Sequence, residues 1–234
     1  MDAPRPFWGV GMERAVRAGD DRWGVSRRRM VERLARSGIR DPRVLAALAA
    51  VPRHALVPDA LGHRAYEEAP LPIGAGQTIS APGTVAAMSA ALALTGGERV
   101  LEIGTGSAYQ AAVLARLAAR VISVERVPAL ASRARQALDR LGVSNVVVHL
   151  GDGTRGWAPE APYDAIVVTA GGPEVPAPLL GQLAAGGRLI GPFGPRGAQR
   201  LLRVRRDARG VLHAPEVLGA AKFVDLVGDH GWDD

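Results

Sequence analysis

The stretch "RVLEIGTGSAYQAAVLARL", residues 99–117, decides the fold of this 234-residue chain. A short apolar run (99–103) leads into two glycines, and an alanine-rich segment with helical spacing (109–119) follows them. Strand, glycine turn and helix in this order are typical of the first unit of a sheet that binds a nucleotide-like ligand. The stretch therefore predicts both a fold class and a ligand site.

The same alternation continues after this stretch. Further strands are predicted at 120–125, 145–150, 163–170 and 188–194, and helices at 128–142 and 177–187. Short strands alternating with helices favour an α/β fold with a doubly wound, mostly parallel, Rossmann-like sheet. Residues 199–218 contain two strand-like runs around the turn "DARG", which predicts an antiparallel pair at one edge of the sheet.

The segment before residue 99 is predicted to be mainly helical. Residues 26–38 have helical spacing of apolar residues, and Asp41 followed by Pro42 is a typical N-cap and first residue of a second helix. Residues 66–83 are rich in glycine and proline and predict a long loop, which in a compact domain is usually functional. A third helix is expected over 81–94.

These patterns predict one domain with an extension. Residues 1–25 have no period and are interpreted as an N-terminal extension, either disordered or loosely helical. Residues 26–234 form a single domain in this interpretation. Its parts are a helical and loop segment (26–95), a cofactor-binding core (96–194) and C-terminal strands (195–234).

Composition and charge exclude several classes of protein. The chain has no cysteine, so disulfides, thiolate metal sites and cysteine nucleophiles are excluded, and its five histidines lack metal-ligand spacing. No apolar run is long enough to span a bilayer, and the first residues do not resemble a signal peptide. We therefore expect a cytoplasmic protein without a metal or a membrane partner.

The positive charge is concentrated near the N-terminus. The net charge is +6, and residues 1–40 hold ten arginines against five acidic residues, which leaves only +1 for the rest. A nucleic-acid binder more often spreads arginine over a binding face. The distribution favours a solvated basic tail over nucleic-acid binding.

The glycine turn indicates which cofactor binds. Gly104 and Gly106 match the first two glycines of the dinucleotide fingerprint, but Tyr109 stands at the third position. Glu102 precedes Gly104 by two residues, and a carboxylate there would repel a pyrophosphate. S-adenosylmethionine has positive charge and no phosphate, so it fits the turn better than a dinucleotide.

Two further acidic landmarks follow the next two strands. Glu125 ends the strand at 120–125, where a carboxylate can accept both ribose hydroxyls. Asp152 and Gly153 follow the strand after that, where an acid can accept from the adenine amine. Taken one at a time, each feature has a simpler explanation: Glu125 could only pair with Arg126, and Asp152-Gly153 could only be a turn. Their order along the chain favours a methyl-donor site.

Signatures of nucleic-acid methylation are absent from the expected place. The fourth strand is followed by "TAGGPEVP" rather than an Asn/Asp-Pro-Pro-aromatic turn, and ring-carbon methylation of pyrimidines commonly uses a cysteine. The substrate must therefore be sought elsewhere in the sequence.

A longer resemblance covers residues 28 to 200 in order. It is carried by motifs that include "RHALVP", "AYEEAPLPIGAGQTISAP", "VLEIGTGSAYQAAVLA", "VERVPALASRAR" and "LAAGGRLIGPFGPRGAQ". On these motifs the chain resembles the protein-L-isoaspartate O-methyltransferases. The resemblance implies a class I fold and methyl transfer from S-adenosylmethionine to the free carboxyl of isoaspartyl residues in damaged proteins and peptides. The ester would then collapse to a succinimide and partly hydrolyse to normal aspartate.

The resemblance also implies residue roles. Ser80 matches the loop serine assigned to the active site, and its hydroxyl could donate to the substrate carboxylate beside the free N–H groups of the next helix. Ser80 could also be only an N-cap, and the two roles are compatible. Nine residues are predicted to bind the cofactor: Gln77, Thr78, Glu102, Gly104, Gly106, Glu125, Arg126, Asp152 and Gly153.

Two positions depart from the family pattern. Ala108 replaces a usual glycine, and Asp225 stands where the family often has a proline beside the peptide. Two alternatives therefore stay open: an aspartate methyltransferase that serves one dedicated peptide, and a relative that methylates RNA. We expect a monomer.

Overall fold

The computed structural model describes residues 21–233, so most of the predicted extension lies outside the described residues. The first described helix begins at Asp21, within the last residues of the predicted extension. The helices are α1 (Asp21–Arg36), α2 (Pro42–Ala50), α3 (Pro82–Ala91), α4 (Tyr109–Leu114), α5 (Pro128–Arg140) and α6 (Ala177–Gly181).

Nine strands form two sheets within these residues. A hairpin is formed by β1 (Leu71–Gly74) and β2 (Gln77–Ile79). The main sheet contains β3 (Arg99–Ile103), β4 (Arg120–Glu125), β5 (Val146–Leu150), β6 (Tyr163–Val168), β7 (Leu183–Phe193), β8 (Arg200–Arg205) and β9 (Glu216–Ala220). Its order is β5-β4-β3-β6-β7-β8-β9.

The topology confirms the predicted fold class. Strands β3 to β7 pair in parallel, and β8 and β9 add an antiparallel pair at one edge. The order of the parallel strands reverses at β3, so the next strand along the chain lies on one side of it and β6 on the other. Ligands bind outside the carboxyl ends of the strands at such a switch point.

The two faces of the main sheet are covered differently. Alternate residues such as Val100 and Val121 pack with α1 to α5 in one apolar cluster. Their neighbours Leu101 and Ile122 face the other side, where Leu179 of α6 and Leu226 of the C-terminal segment cover them. Successive residues of each strand therefore face opposite sides of the sheet. One side is covered by helices α1 to α5, and the other by α6 and the C-terminal segment.

Asp41 and Pro42 start α2 as predicted. The Asp41 Oδ1 atom accepts hydrogen bonds from the N–H groups of Arg43 at 2.8 Å and Val44 at 3.3 Å. These bonds satisfy two of the N–H groups that have no partner within the helix.

The predicted loop at 66–83 is wrong in part, because it contains the β1–β2 hairpin. Ala75 and Gly76 connect the strands with φ values of 52° and 69°, and two consecutive positive φ angles are typical of a tight hairpin turn. The glycines and prolines that suggested a loop serve the turn and the ends of two short strands.

Two predicted helices are too long. The helix expected over 109–119 ends at Leu114, because the chain must turn to enter β4 at residue 120. The helix expected over 177–187 ends at Gly181, and β7 begins at Leu183. Leu183 pairs with Tyr163 of β6, and this pairing overrides the helical preference of the alanines that follow.

A buried carboxylate secures the turn that enters β3. Glu98 accepts hydrogen bonds from the N–H and hydroxyl of Thr95 and from the N–H of Gly96, at 2.8 to 2.9 Å. Arg188 of β7 lies 3.3 Å from the same carboxylate. Burial alone would raise the pKa of Glu98, but these hydrogen bonds outweigh it and lower the pKa to about 2.

Glu98→Gln should lower the free energy of unfolding at pH 7 by about 2 kcal/mol, because hydrogen bonds to charged groups contribute about this much. A lowered pKa stabilises the fold above the ordinary value of 4.5, and the contribution is lost as the pH falls toward 2. Urea unfolding at pH 7 and at pH 3 measures both effects. Glu67→Gln, at an exposed ion pair, is the control. A loss that is equally large at both pH values would contradict this account.

Candidate cofactor and substrate site

One cavity lies at the carboxyl ends of β3, β4 and β6 and encloses about 810 Å³ including its open mouth. The β2 strand and the start of α3 form one wall, and residues 224–227 form part of another. The predicted residues that line it are Gln77, Thr78, Ser80, Gly104, Gly106, Glu125, Arg126 and Gly153. Glu102 and Asp152 are not among the lining residues.

The glycine turn between β3 and α4 has a left-handed backbone. Gly104 and Gly106 have φ values of 93° and 53°, and a Cβ atom on Gly104 would lie 2.6 Å from the Thr169 hydroxyl. Ala108, at the departure from the family pattern, has φ 68° and is buried. The turn thus keeps the conformation that favours glycine even though an alanine occupies the third position.

Glu125 fixes this turn from the next strand. Its Oε2 atom accepts the N–H of Gly106 at 2.8 Å, and its Oε1 atom accepts the N–H of Val127 at 2.9 Å. The carboxylate is buried but lines the cavity. Each carboxylate oxygen has a further lone pair, so Glu125 can support the turn and still accept hydroxyls of a ligand.

Glu102 lies beneath the turn, out of the cavity. The Ser123 hydroxyl donates to its Oε2 atom at 2.5 Å, and Thr105 Oγ1 is 2.5 Å from Ser123 Oγ. Burial and the nearby charge of Glu125 raise the pKa of Glu102 to about 8, against the lowering effect of the Ser123 bond. The carboxyl is therefore protonated at neutral pH, so the sequence argument from its negative charge does not describe this buried group.

Asp152 is directed toward the C-terminal segment. It accepts hydrogen bonds from the N–H and hydroxyl of Thr154, at 2.8 and 2.7 Å, and from the N–H of Asp229 at 2.9 Å. Burial would raise the pKa of Asp152, but these bonds outweigh it and lower the pKa. Its neighbour Gly153 does line the cavity.

Ser80 is not a helix cap. The N-cap of α3 is Ala81, and the Ser80 hydroxyl makes no hydrogen bond to another of the residues 21–233. The N-terminus of α3 is not free either, because Glu68 Oε1 accepts the N–H of Gly83 at 2.7 Å. Ser80 thus lines the cavity with an available hydroxyl, whereas the expected free N–H groups are partly satisfied by Glu68.

The sequence analysis missed the C-terminal segment, apart from Asp225. Val224, Asp225, Leu226 and Val227 line the cavity, and the segment is held to Gly171 after β6. Gly171 donates to the Val224 carbonyl at 2.7 Å and accepts from the N–H of Leu226 at 2.9 Å. These residues show no periodic pattern. The sequence pointed to this segment only through Asp225, which stands where the family often has a proline beside the peptide.

Within the described residues, no group of three or more acidic or histidine side chains is placed to hold a metal ion. None of the helices in that same range is long and apolar enough to cross a membrane.

A mostly parallel sheet with a glycine turn after its central strand and a carboxylate after the next strand is shared by dinucleotide-binding proteins and by class I S-adenosylmethionine-dependent methyltransferases. Solved structures place the chain with the methyltransferases. A protein-L-isoaspartate O-methyltransferase matches with a TM-score of 0.78 and 30% identity, over 88% of this chain and 67% of that chain. A putative Plasmodium falciparum relative, in complex with S-adenosyl-L-homocysteine, matches with a TM-score of 0.75 and 26% identity, over 86% and 98%.

The sequence comparisons are more specific. The family model described as protein-L-isoaspartate(D-aspartate) O-methyltransferase matches residues 25–231. A protein-L-isoaspartate O-methyltransferase of Syntrophobacter fumaroxidans is 56% identical over 209 residues, which are 89% of this chain and 97% of that protein. One from Methanoculleus marisnigri is 56% identical over 208 residues, or 88% and 93%. The chain belongs to this family, which confirms the resemblance seen in the sequence.

The buried Glu102 carboxyl gives a pH-dependent prediction. A raised folded-state pKa means that the folded protein keeps a proton which the unfolded chain loses, so stability falls as the pH rises from about 4.5 toward 8. Glu102→Gln mimics the protonated carboxyl. We expect the variant to gain stability relative to the wild type over this range, and chemical unfolding at pH 5 and pH 8 measures the difference. A difference that does not change with pH would contradict a protonated Glu102.

Proposed function

We propose that the cavity at the switch point binds S-adenosylmethionine and the substrate carboxylate together, with Ser80 at the substrate. The chain is a protein-L-isoaspartate O-methyltransferase by family, and it initiates the repair of isoaspartyl residues by methylating their free carboxyl. The observation that carries the proposal is that one cavity contains the available Ser80 hydroxyl, the glycine turn and Glu125.

The residues present fit the cofactor. The cavity lies at the carboxyl ends of the parallel strands, where open α/β sheets bind ligands, and both polar and apolar residues line it. Glu125 offers acceptors for the ribose hydroxyls, and the left-handed turn lets the ligand approach the backbone at Gly104 and Gly106. The bound cofactor would supply an electrophilic methyl group on its sulfonium.

The remaining predicted residues divide into two groups. Gln77, Thr78, Arg126 and Gly153 line the cavity and are proposed to contact the cofactor directly. Glu102 and Asp152 are proposed to act through their neighbours. Glu102 supports the strands beneath the turn through Ser123, and Asp152 holds the C-terminal segment through Asp229.

Methyl transfer to the isoaspartyl carboxylate does not require a strong general base. An isoaspartyl carboxylate is ionised at pH 7, so it is already a nucleophile. What it needs is orientation and the exclusion of water. The Ser80 hydroxyl can donate to one carboxylate oxygen and leave the other free to attack, while the C-terminal segment restricts access of water.

We also propose that the described residues act as one methyltransferase domain and as a monomer. The N-terminal helices share a single apolar cluster with strands of the main sheet, which supports one domain. This extends the proposed domain from residue 26 back to α1 at Asp21. A cytoplasmic location is proposed because the methyl donor is a cytoplasmic metabolite.

Methyl transfer to an isoaspartyl peptide and to its normal aspartyl twin tests the function. We expect saturable transfer from labelled S-adenosylmethionine to the isoaspartyl peptide only. Transfer only to the aspartyl twin would support a peptide-specific aspartate methyltransferase. Transfer to RNA would support a relative that methylates RNA. Either result would overturn the proposal.

Ser80→Ala should lower turnover by about 10- to 100-fold, because one oriented hydrogen bond in the transition state contributes on the order of 2 kcal/mol. Cofactor affinity should change little, and calorimetry with S-adenosylhomocysteine measures it. Ser144→Ala, at an exposed serine after α5, is the matched control. Unchanged turnover in Ser80→Ala would remove Ser80 from its role.

A further inference from the structure

The cavity has a carboxylate in the wall formed by the C-terminal segment. Asp225 lines the cavity, and its Oδ2 atom accepts a hydrogen bond from Arg196 Nε at 2.7 Å. Arg196 lies on the loop between β7 and β8 and is not a lining residue. Asp225 thus forms part of the wall, whereas the residue that carries its cation does not.

The course of the segment places Asp225 at the substrate end. Asp225 pairs with Gly171 just after β6, whereas Asp229 reaches Asp152 after β5. Glu125, proposed at the ribose, ends β4, and the glycine turn follows β3 between them. Asp225 therefore lies beyond the turn on the side opposite to the ribose site, where the acceptor must enter.

An uncompensated negative charge on Asp225 would weaken the binding of an acceptor that is itself an anion. The acceptor is an anion, and like charges a few ångströms apart repel, more strongly in a partly closed cavity than in water. The charged residues in the cavity wall are Glu125, Arg126 and Asp225. Arg196 forms an ion pair with Asp225, with 2.7 Å between Nε and Oδ2.

Arg196 is also held in place independently of Asp225. Its guanidinium lies over the Trp232 ring at 4.3 Å from the centroid, and the Trp232 Nε1–H donates to the Gly171 carbonyl at 2.9 Å. Stacking of this kind favours arginine over lysine because the guanidinium is planar. The Arg196 guanidinium therefore has a second contact, with Trp232, besides its ion pair with Asp225.

We propose that Arg196 is a specificity-determining residue that neutralises Asp225, so that the site accepts a peptide carboxylate. Without Arg196 the wall is negative, and the site disfavours acceptors that carry additional acidic residues next to the methylated carboxyl. This inference rests on the proposed function of the cavity and adds a residue that does not line it.

A double-mutant cycle tests the pair. Arg196→Gln should raise KM for an isoaspartyl peptide by about 3- to 5-fold, the range of partly exposed ion pairs. Asp225→Asn leaves Arg196 unpaired near the anion and should lower KM. The double variant should return KM to within about 2-fold of the wild type, since both charges are gone. Arg209→Gln, at an exposed turn, controls for the change in net charge.

Two further readouts separate this role from a purely structural one. The penalty of Arg196→Gln should be larger for a peptide with glutamate beside the isoaspartyl residue than for one with lysine, and it should shrink at high salt. The affinity for S-adenosylhomocysteine should stay unchanged.

Several results would overturn the proposal. If Asp225→Asn loses as much activity as Arg196→Gln, or if the double variant is as weak as Arg196→Gln alone, the pair only holds the segment in place. A wild type without isoaspartyl activity would contradict the proposed function as well. An active wild type whose variants show no opposite effects would contradict only the role of Arg196.

Discussion

The site depends on one carboxylate that holds two backbone segments together and lines the cavity. Glu125 accepts the N–H of Gly106 with one oxygen and that of Val127 with the other, so it joins the glycine turn after β3 to the end of β4. These are charge-assisted bonds, which are stronger and better oriented than neutral ones. Because the two strands are parallel neighbours, the same bonds set the distance between the turn and the place where the ribose hydroxyls would bind.

The interior of the protein beneath Glu125 contains a cluster of hydrogen-bonded polar side chains. Glu102, Ser123 and Thr105 form a buried chain of short hydrogen bonds on the helix-rich side of the sheet. A second ionised carboxylate so near to Glu125 would be costly, and a proton on Glu102 relieves that repulsion. The two glutamates therefore take different roles, one as an acceptor facing the cavity and one as a neutral structural group. They come from neighbouring strands and the same face of the sheet, and Glu125 lies two residues closer to the carboxyl edge because Glu102 pairs with Ser123.

The walls of the cavity that lie outside the main sheet are built by chain segments far apart in sequence. The β1–β2 hairpin and Ser80 come before the main sheet, and residues 224–227 come after it. Gly171, Asp152 and Arg196 hold that last segment across the carboxyl ends of the strands. These segments therefore come together at the cavity only in the folded chain.

The sequence by itself determined the parallel sheet, the glycine turn, the caps of α2 and the cavity positions of Ser80 and Glu125. The sheet, the turn and Glu125 follow from local patterns, namely the period of a buried strand, the glycine spacing and acidic residues at strand ends, whereas Ser80 follows from the resemblance to the family. Only the tertiary structure decided where α6 ends and β7 begins, because the pairing of Leu183 with Tyr163 outweighs the helix propensity of the segment. It also decided that Glu102 is protonated and that Asp152 faces Asp229. A sequence shows which side chains carry charge, but burial and partners from distant segments set their protonation and direction.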